Sequence, residues 1–160
     1  METAYLETTF VSYLVALPAR DLVIAAHQQI TRDWWNRRRN DFRLVISQVV
    51  LDEISAGDES EVRKRLELVR SMEVLGASPD AETLTAAIVE AGVFPEKAVR
   101  DAAHIAVATV HGVEYLLTWN CRHLANAQIS RRVGRICSER GFVMPTICTP
   151  EELFGEPDDE

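Results

Sequence analysis

The chain has 160 residues, enough for one domain with a full hydrophobic core and short for two. Its composition is 47% hydrophobic and 26% charged, as in an ordinary globular protein, and no apolar run approaches the roughly 18 residues of a membrane span. A net charge of −8 argues against a protein that holds nucleic acid by its whole surface. No signal peptide is visible, and three cysteines without paired spacing argue against a zinc site or a disulfide framework, so we expect a cytoplasmic protein.

The first half of the chain alternates short apolar runs with amphipathic segments. The pattern predicts a strand at 4–7, a helix at 8–15 capped by Thr8 or Thr9, a long helix at 21–39, a second strand at 44–47 and a helix that ends at Gly57. A further amphipathic helix is predicted at 58–71, before a short strand at 73–75.

The second half continues the alternation. It predicts helices at 81–90 and 95–111, a buried strand at 115–118, a mostly helical segment at 124–140 and a last strand at 145–149. Strands separated by helices imply right-handed crossovers and a mainly parallel sheet covered on both faces. We therefore expect one α/β domain over residues 1–154, a three-layer α/β/α sandwich, followed by a disordered acidic tail at 155–160.

Three carboxylates border apolar runs at the ends of predicted elements, namely Glu7, Glu53 and Asp101, and Asn120 follows the third buried strand. Ligands of parallel sheets collect at the carboxyl ends of the strands, and the topology sends all four residues to that edge. Oxygen ligands suit Mg²⁺ or Mn²⁺, which can activate water against a phosphodiester. The alternative for each acid is an ordinary helix-end position, which for Asp101 the helix dipole would favour.

The segments around these residues resemble the four successive motifs of PIN domains. They are YLETT at 5–9, SQVVLDE at 47–53, DAAHIA at 101–106 and LTWN at 117–120, and the resemblance spans roughly residues 4 to 150. It is closest to the bacterial branch that includes the virulence-associated protein C toxins. The resemblance implies a parallel α/β/α sandwich, dependence on Mg²⁺ or Mn²⁺ and single-stranded RNA as substrate. It also implies a partner antitoxin and a homodimer, for which Phe10 and Tyr13 are candidate contacts, although core packing explains both residues equally well.

The resemblance carries over residue by residue. Glu53 and Asp101 match acids that the family uses as metal ligands, whereas Glu7 stands where the family usually has Asp. Asn120 stands where the family usually has an acid, and an amide supplies an oxygen ligand but no charge. The implied catalytic set is Glu7, Glu53, Asp101 and Asn120, with the metal held by the three acids. Thr8, Ser47 and Thr118 are the implied supporting residues.

Other interpretations of the same residues remain open at this stage. One is a pocket that has lost catalysis at Asn120 and serves as a nucleic-acid- or partner-binding module. Another is a different doubly wound domain with an acidic metal site that acts on small phosphate esters. His104 is either a residue at the rim of the metal site or, as we favour, a core histidine with satisfied hydrogen bonds. Trp34 and Trp35 before Arg37–Arg39 have the character of a single-strand platform, but Trp34 also belongs to an apolar helix stripe, so we expect it in the core.

Overall fold

The computed structural model of the chain describes residues 1–155, so most of the predicted acidic tail lies outside the described residues. Five strands form one sheet in the order β3-β2-β1-β4-β5, and every pairing is parallel. The strands are β1 (Thr3–Leu6), β2 (Arg43–Ser47), β3 (Glu73–Leu75), β4 (Tyr115–Leu117) and β5 (Thr146–Cys148). The predicted α/β class and parallel sheet are confirmed.

Within the described part of the chain, seven helices connect these strands. They are α1 (Thr8–Val15), α2 (Leu22–Arg38), α3 (Gln48–Ile54), α4 (Glu59–Val69), α5 (Pro79–Glu90), α6 (Val99–Val110) and α7 (Ala127–Glu139), with 3₁₀ turns at Arg39–Asp41 and Glu96–Ala98. The chain moves outward from β1 to β3 and then returns past β1 to β4 and β5. Right-handed crossovers in these two opposite directions place α1–α4 on one face and α5–α7 on the other. The strand order therefore reverses beside β1, where ligands of such sheets bind.

The helix boundaries differ from the prediction where local caps decide them. The helix expected from Pro95 begins at Val99, because Pro95 is extended and a 3₁₀ turn follows it. The segment expected to be helical from residue 124 begins at Ala127, behind an Asn126 cap. The cap of α1 is Glu7 itself, not Thr8 or Thr9, and its carboxylate accepts a hydrogen bond from the Thr9 backbone nitrogen.

An aromatic cluster fixes α2 against the sheet. Trp34 is fully buried, with its ring edge-on to Phe10 and stacked on Phe42, and its indole nitrogen donates to the Leu153 carbonyl. Phe10 is also fully buried, so of the two interpretations left open for it, core packing is the one that the structure supports. No helix within residues 1–155 has the length and apolar character needed to cross a bilayer.

The basic run at the end of α2 packs against aromatic rings of the same molecule. The guanidinium groups of Arg37, Arg38 and Arg39 lie over the rings of Phe154, Phe42 and Trp35, respectively, at 5.5 to 5.6 Å from the ring centroids. Cation–π contacts of this kind stabilise the end of a helix without any ligand. The Trp34–Trp35 and Arg37–Arg39 segment is therefore a structural element, and Trp34 is the core residue that its apolar stripe predicts.

Candidate metal centre

The predicted site residues meet at the carboxyl edge of the sheet, beside the point where strand order reverses. Glu7 directly follows β1, and Thr118 directly follows β4. Glu53 lies on α3, the helix after β2, and Asp101 lies in the first turn of α6. Since β2, β1 and β4 are neighbours in the sheet, the ends of these three strands form one concave edge.

Glu7 is a buried carboxylate whose two oxygens have different surroundings. Its Oε2 accepts hydrogen bonds from the Thr9 backbone nitrogen at 3.0 Å, from Thr9 Oγ1 at 2.5 Å and from Thr118 Oγ1 at 2.8 Å. Hydrogen bonds of this kind offset the cost of burying a charge, and the residue is only 3% exposed. Its Oε1 accepts no hydrogen bond within residues 1–155 and lies 4.0 Å from His104 Nε2.

Glu53 pairs with the imidazole of His104. Its Oε1 lies 2.5 Å from His104 Nε2 and accepts a hydrogen bond from Thr8 Oγ1 at 2.8 Å. Burial raises the pKa of the Glu53 carboxyl, but the hydrogen bond and charge of His104, the Thr8 hydroxyl and the charge of Arg100 together outweigh it. The net pKa of Glu53 is therefore below its usual value, and the site holds this carboxylate ionised.

Asp101 has a second set of partners. Its Oδ2 lies 3.1 Å from His123 Nδ1, and its Oδ1 accepts a hydrogen bond from the Asn120 side-chain amide at 3.5 Å. Burial raises the pKa of Asp101, and the charge of Glu53 adds to this, against the opposing effects of His104 and His123. The pKa of Asp101 is above its usual value, so its charge lacks the compensation that Glu53 receives.

The residues that approach one another most closely differ from the predicted ligand set. Within residues 1–155, Glu7, Glu53 and His104 each offer an atom to a group in which all atoms lie within 4.8 Å of one another. Asp101 stands outside this group, although it is near enough for its charge to act on that of Glu53. A divalent metal binds carboxylate oxygens and imidazole nitrogens, and this group offers two carboxylates and one imidazole. One carboxylate oxygen, Glu7 Oε1, accepts no hydrogen bond within residues 1–155, so the residues present fit such an ion.

The three supporting residues all contact this network. Thr8 donates to Glu53, Thr118 donates to Glu7, and Ser47 Oγ lies 2.6 Å from the hydroxyl of Tyr5, which in turn lies 2.6 Å from His104 Nδ1. Thr118 Oγ1 also accepts a hydrogen bond from the Asn120 backbone nitrogen at 2.9 Å, and this contact positions the turn after β4.

Sequence reasoning left Tyr5, Thr9 and His123 out of the predicted site residues and favoured a core position for His104 over one at the rim of the metal site. His104 is indeed fully buried with both ring nitrogens engaged, but it also belongs to the site. Periodicity could have indicated two of these residues. Tyr5 lies two positions before Glu7 on the same face of a strand, and His104 lies three positions after Asp101 on the same face of a helix.

Comparison with known proteins decides the family. The sequence model of the PIN domain matches residues 4–127, about three quarters of the chain. The chain belongs to the PIN domain family. The matched range contains all four predicted catalytic residues of this PIN domain, namely Glu7, Glu53, Asp101 and Asn120.

Solved structures share the fold of this PIN domain. One is the crystal structure of VapBC2 from Rickettsia felis bound to a DNA fragment from their promoter, with a TM-score of 0.59 and 13% sequence identity. The match covers 92% of this chain and 98% of that chain. At this identity the similarity establishes the fold alone. No curated protein sequence matches this chain.

Proposed function

We propose that this PIN domain is a metal-dependent endoribonuclease that cleaves single-stranded RNA. The observation that carries the proposal is the group of Glu7, Glu53 and His104 at the carboxyl edge of the sheet, with Asp101 beside it. Of these acids Glu7 is buried and Glu53 and Asp101 are partly buried, and carboxylates this close repel one another unless a cation or a proton offsets their charge. Their placement at the strand-order reversal of a PIN fold makes a divalent cation the natural partner.

The proposed roles follow from the contacts. Glu7, Glu53 and Asp101 hold Mg²⁺ or Mn²⁺, which activates water and offsets charge on the phosphodiester when bound. Thr9 and Thr118 fix the Glu7 carboxylate, and Thr8 fixes that of Glu53. Asn120 orients the site through its contacts to Asp101 and to the His123 backbone nitrogen. Because the Thr9 and Thr118 hydroxyls are held in turn by backbone nitrogens, the Glu7 carboxylate needs little reorganisation to bind a cation.

Basic residues that could contact the RNA backbone lie near Asn126, the cap of α7. Arg131 and Arg132 are exposed and border a surface pocket of about 540 Å³ together with Asn126 and Gln128. Neither arginine forms an ion pair with an acid within residues 1–155. Arginines without an acidic partner can bind phosphate groups. A local basic surface of this kind would let a protein with a net charge of −8 bind a polyanionic RNA.

The protein partner we propose is an antitoxin, which would make this chain the toxin of a toxin–antitoxin pair in the cytoplasm. The similarity to the VapBC2 structure supports this proposal, since that structure contains the VapBC2 proteins. Leu17, Leu22 and Val23 are 63–85% exposed, an apolar surface that a protein partner or a second copy could cover. We also propose a homodimer whose contact is this surface and not Phe10, which is buried.

The test is cleavage of a panel of single-stranded RNAs with Mg²⁺ or Mn²⁺, comparing the wild type with Asp101→Asn. We expect metal-dependent cleavage by the wild type and a loss of at least about a hundredfold in the variant. Asp80→Asn is the matched control, because Asp80 occupies the first turn of α5 as Asp101 does that of α6, but is exposed and has no contact with Glu7, Glu53 or Asp101 among the hydrogen bonds of the site. Equal activity of wild type and Asp101→Asn would contradict the proposal.

A second candidate function is a binding module without catalysis. Two observations favour it: Asn120 supplies no charge, and His104 Nε2 already lies 2.5 Å from Glu53 Oε1 and 4.0 Å from Glu7 Oε1, so these acids have a partner without metal. This function predicts that purified protein binds RNA or a protein partner but leaves RNA intact at every metal concentration. It also predicts that Mn²⁺ leaves the melting temperature unchanged, because a pocket that does not bind the ion gains no stability from it.

A further inference from the structure

The imidazole of His104 is held at both of its nitrogens in a fully buried position. Nε2 lies 2.5 Å from Glu53 Oε1, and Nδ1 lies 2.6 Å from the hydroxyl of Tyr5. The Tyr5 hydroxyl lies 2.6 Å from Ser47 Oγ. Ser47, Tyr5, His104 and Glu53 thus form one hydrogen-bonded chain that ends at the pocket.

The direction of this chain follows from which atoms can donate. An ionised Glu53 only accepts, so Nε2 carries a hydrogen. When the imidazole is neutral, Nδ1 then accepts from the Tyr5 hydroxyl, and Tyr5 accepts from Ser47. The hydrogen bonds therefore run from Ser47 through Tyr5 and His104 to Glu53, and each buried atom in the chain has a partner.

Ser47, Tyr5 and His104 also permit hydrogen-bond donation in the opposite direction. Tyrosine and serine hydroxyls both donate and accept, so a hydrogen on Nδ1 can be donated to Tyr5 while Tyr5 donates to Ser47. The imidazole stays neutral, and no proton leaves the protein. In this arrangement His104 Nε2 presents a lone pair toward Glu53 and toward Glu7 Oε1, which accepts no hydrogen bond within residues 1–155. A phenylalanine at position 5 would not permit it, because Nδ1–H would be buried without an acceptor.

We propose that His104 Nε2 is a metal ligand together with Glu7 and Glu53, and that the site therefore prefers Mn²⁺, Co²⁺ or Zn²⁺ over Mg²⁺. Imidazole suits these transition metals, whereas Mg²⁺ prefers oxygen ligands alone. Tyr5 and Ser47 are positioning residues, because they select the tautomer that frees Nε2, as groups behind a metal-bound histidine commonly do. This inference rests on the metal pocket of the proposed function and deepens it.

The experiment is pulsed EPR on the protein loaded with Mn²⁺, together with equilibrium binding of Mn²⁺ and Mg²⁺. We expect a ¹⁴N coupling from a directly bound imidazole in the wild type and its loss in His104→Gln. The His104→Gln change should weaken Mn²⁺ binding at least about tenfold and alter Mg²⁺ binding far less. Tyr5→Phe keeps the ring and should also weaken Mn²⁺ binding by about tenfold. Tyr13→Phe is the matched control and should bind as the wild type does, since its hydroxyl has no hydrogen-bond partner among residues 1–155.

The outcomes separate this inference from the proposed function. A wild-type Mn²⁺ spectrum without nitrogen coupling overturns the inference even when the protein cleaves RNA. A nitrogen coupling that disappears in His104→Gln supports the inference even when no RNA is cleaved, in which case the nuclease proposal fails alone. Mn²⁺ and Mg²⁺ affinities that fall by the same factor in His104→Gln would also overturn it, because a nitrogen ligand must discriminate between the two ions.

Discussion

The side-chain amide of Asn120 donates a hydrogen bond to Oδ1 of Asp101 across 3.5 Å. The orientation of this amide is fixed, because its Oδ1 accepts from the His123 backbone nitrogen at 3.0 Å and its nitrogen must therefore face Asp101. Asn120 thus gives Asp101 a donor at the position where a carboxylate would give it a second negative charge. A carboxylate at position 120 should consequently lower the stability of the metal-free protein and raise its affinity for the metal.

We expect Asn120→Asp to lower the free energy of unfolding of the metal-free protein by about 1 kcal/mol, because a carboxylate then faces Asp101. The same charge should strengthen Mn²⁺ binding by about 1–3 kcal/mol and increase RNA cleavage. Thermal unfolding with and without Mn²⁺, and cleavage of single-stranded RNA, measure these effects.

Asn126→Asp is the control for this change. Asn126 caps α7, where its Oδ1 accepts from two backbone nitrogens, and an aspartate can do the same at a helix N-terminus. We expect no effect on metal binding there. If Asn120→Asp binds Mn²⁺ no better than Asn126→Asp does, Asn120 does not belong to the metal site.

The two acids with shifted pKa values should give opposite stability changes when each becomes an amide. In metal-free protein near neutral pH, Glu53→Gln should lower the free energy of unfolding by up to about 1 kcal/mol, because His104 and Thr8 stabilise the ionised form. Asp101→Asn should leave it unchanged or raise it, because the ionised form of Asp101 is unfavourable in the fold. Chemical denaturation of both variants between about pH 3 and about pH 7 measures this difference.

The pH dependence has a defined sign for each residue. The folded-state pKa of Glu53 is below 4.5, so its contribution is present above pH 4.5 and is lost as pH falls through the folded pKa. The folded-state pKa of Asp101 is above 3.8, so stability falls as pH rises from 3.8 through the folded pKa. The cost of Glu53→Gln should therefore disappear in acid, and any gain from Asp101→Asn should appear only above the folded pKa. Equal pH profiles for both variants would contradict these assignments.

The hydroxyl of Thr118 holds Glu7 in place, and its removal should be costly. Thr118→Val deletes the donor to Glu7 Oε2 and the acceptor of the Asn120 backbone nitrogen in a fully buried position. We expect a loss of about 1.5–3 kcal/mol in the free energy of unfolding and weaker metal binding. Thr109→Val is the matched control, since Thr109 Oγ1 is buried without a hydrogen-bond partner among residues 1–155. The prediction is wrong if the two valine variants unfold at the same denaturant concentration.

The exposed apolar surface at the start of α2 should be the contact of the proposed homodimer. Leu22 is 85% exposed, and Leu22→Glu should shift the light-scattering mass from dimer to monomer without changing the melting temperature of the monomer. Val143→Glu is the control, because Val143 is equally exposed, at 86%, but lies outside α2, just before the amino end of β5. A wild type that is monomeric at every accessible concentration would remove the homodimer proposal and leave the fold untouched.

The sequence by itself was sufficient for the order and type of the elements. Buried parallel strands are continuous apolar runs and helices have apolar stripes, and both patterns are local, so residues such as Leu116 and Trp34 could be assigned without knowledge of their neighbours. The same rules of parallel sheets placed Glu7 and Asn120 at one edge. Caps were harder to predict. Glu7 caps α1, because its carboxylate accepts a hydrogen bond from the Thr9 backbone nitrogen two residues further along, a role that a threonine could equally have had.

Only the tertiary structure decided which of these residues touch. Tyr5 and His104 are 99 positions apart and Glu53 is 51 positions from His104, so no local pattern relates them. Their contacts depend on β1, α3 and α6 packing at one point, which places the His104 ring between the Tyr5 hydroxyl and the Glu53 carboxylate. In the same way, the hydrogen-bond partners of Asp101 are His123 and Asn120 from the turns after β4, which no local pattern indicates. Distances of a few ångströms decide which side chains contact one another, and such distances follow from packing rather than from sequence spacing.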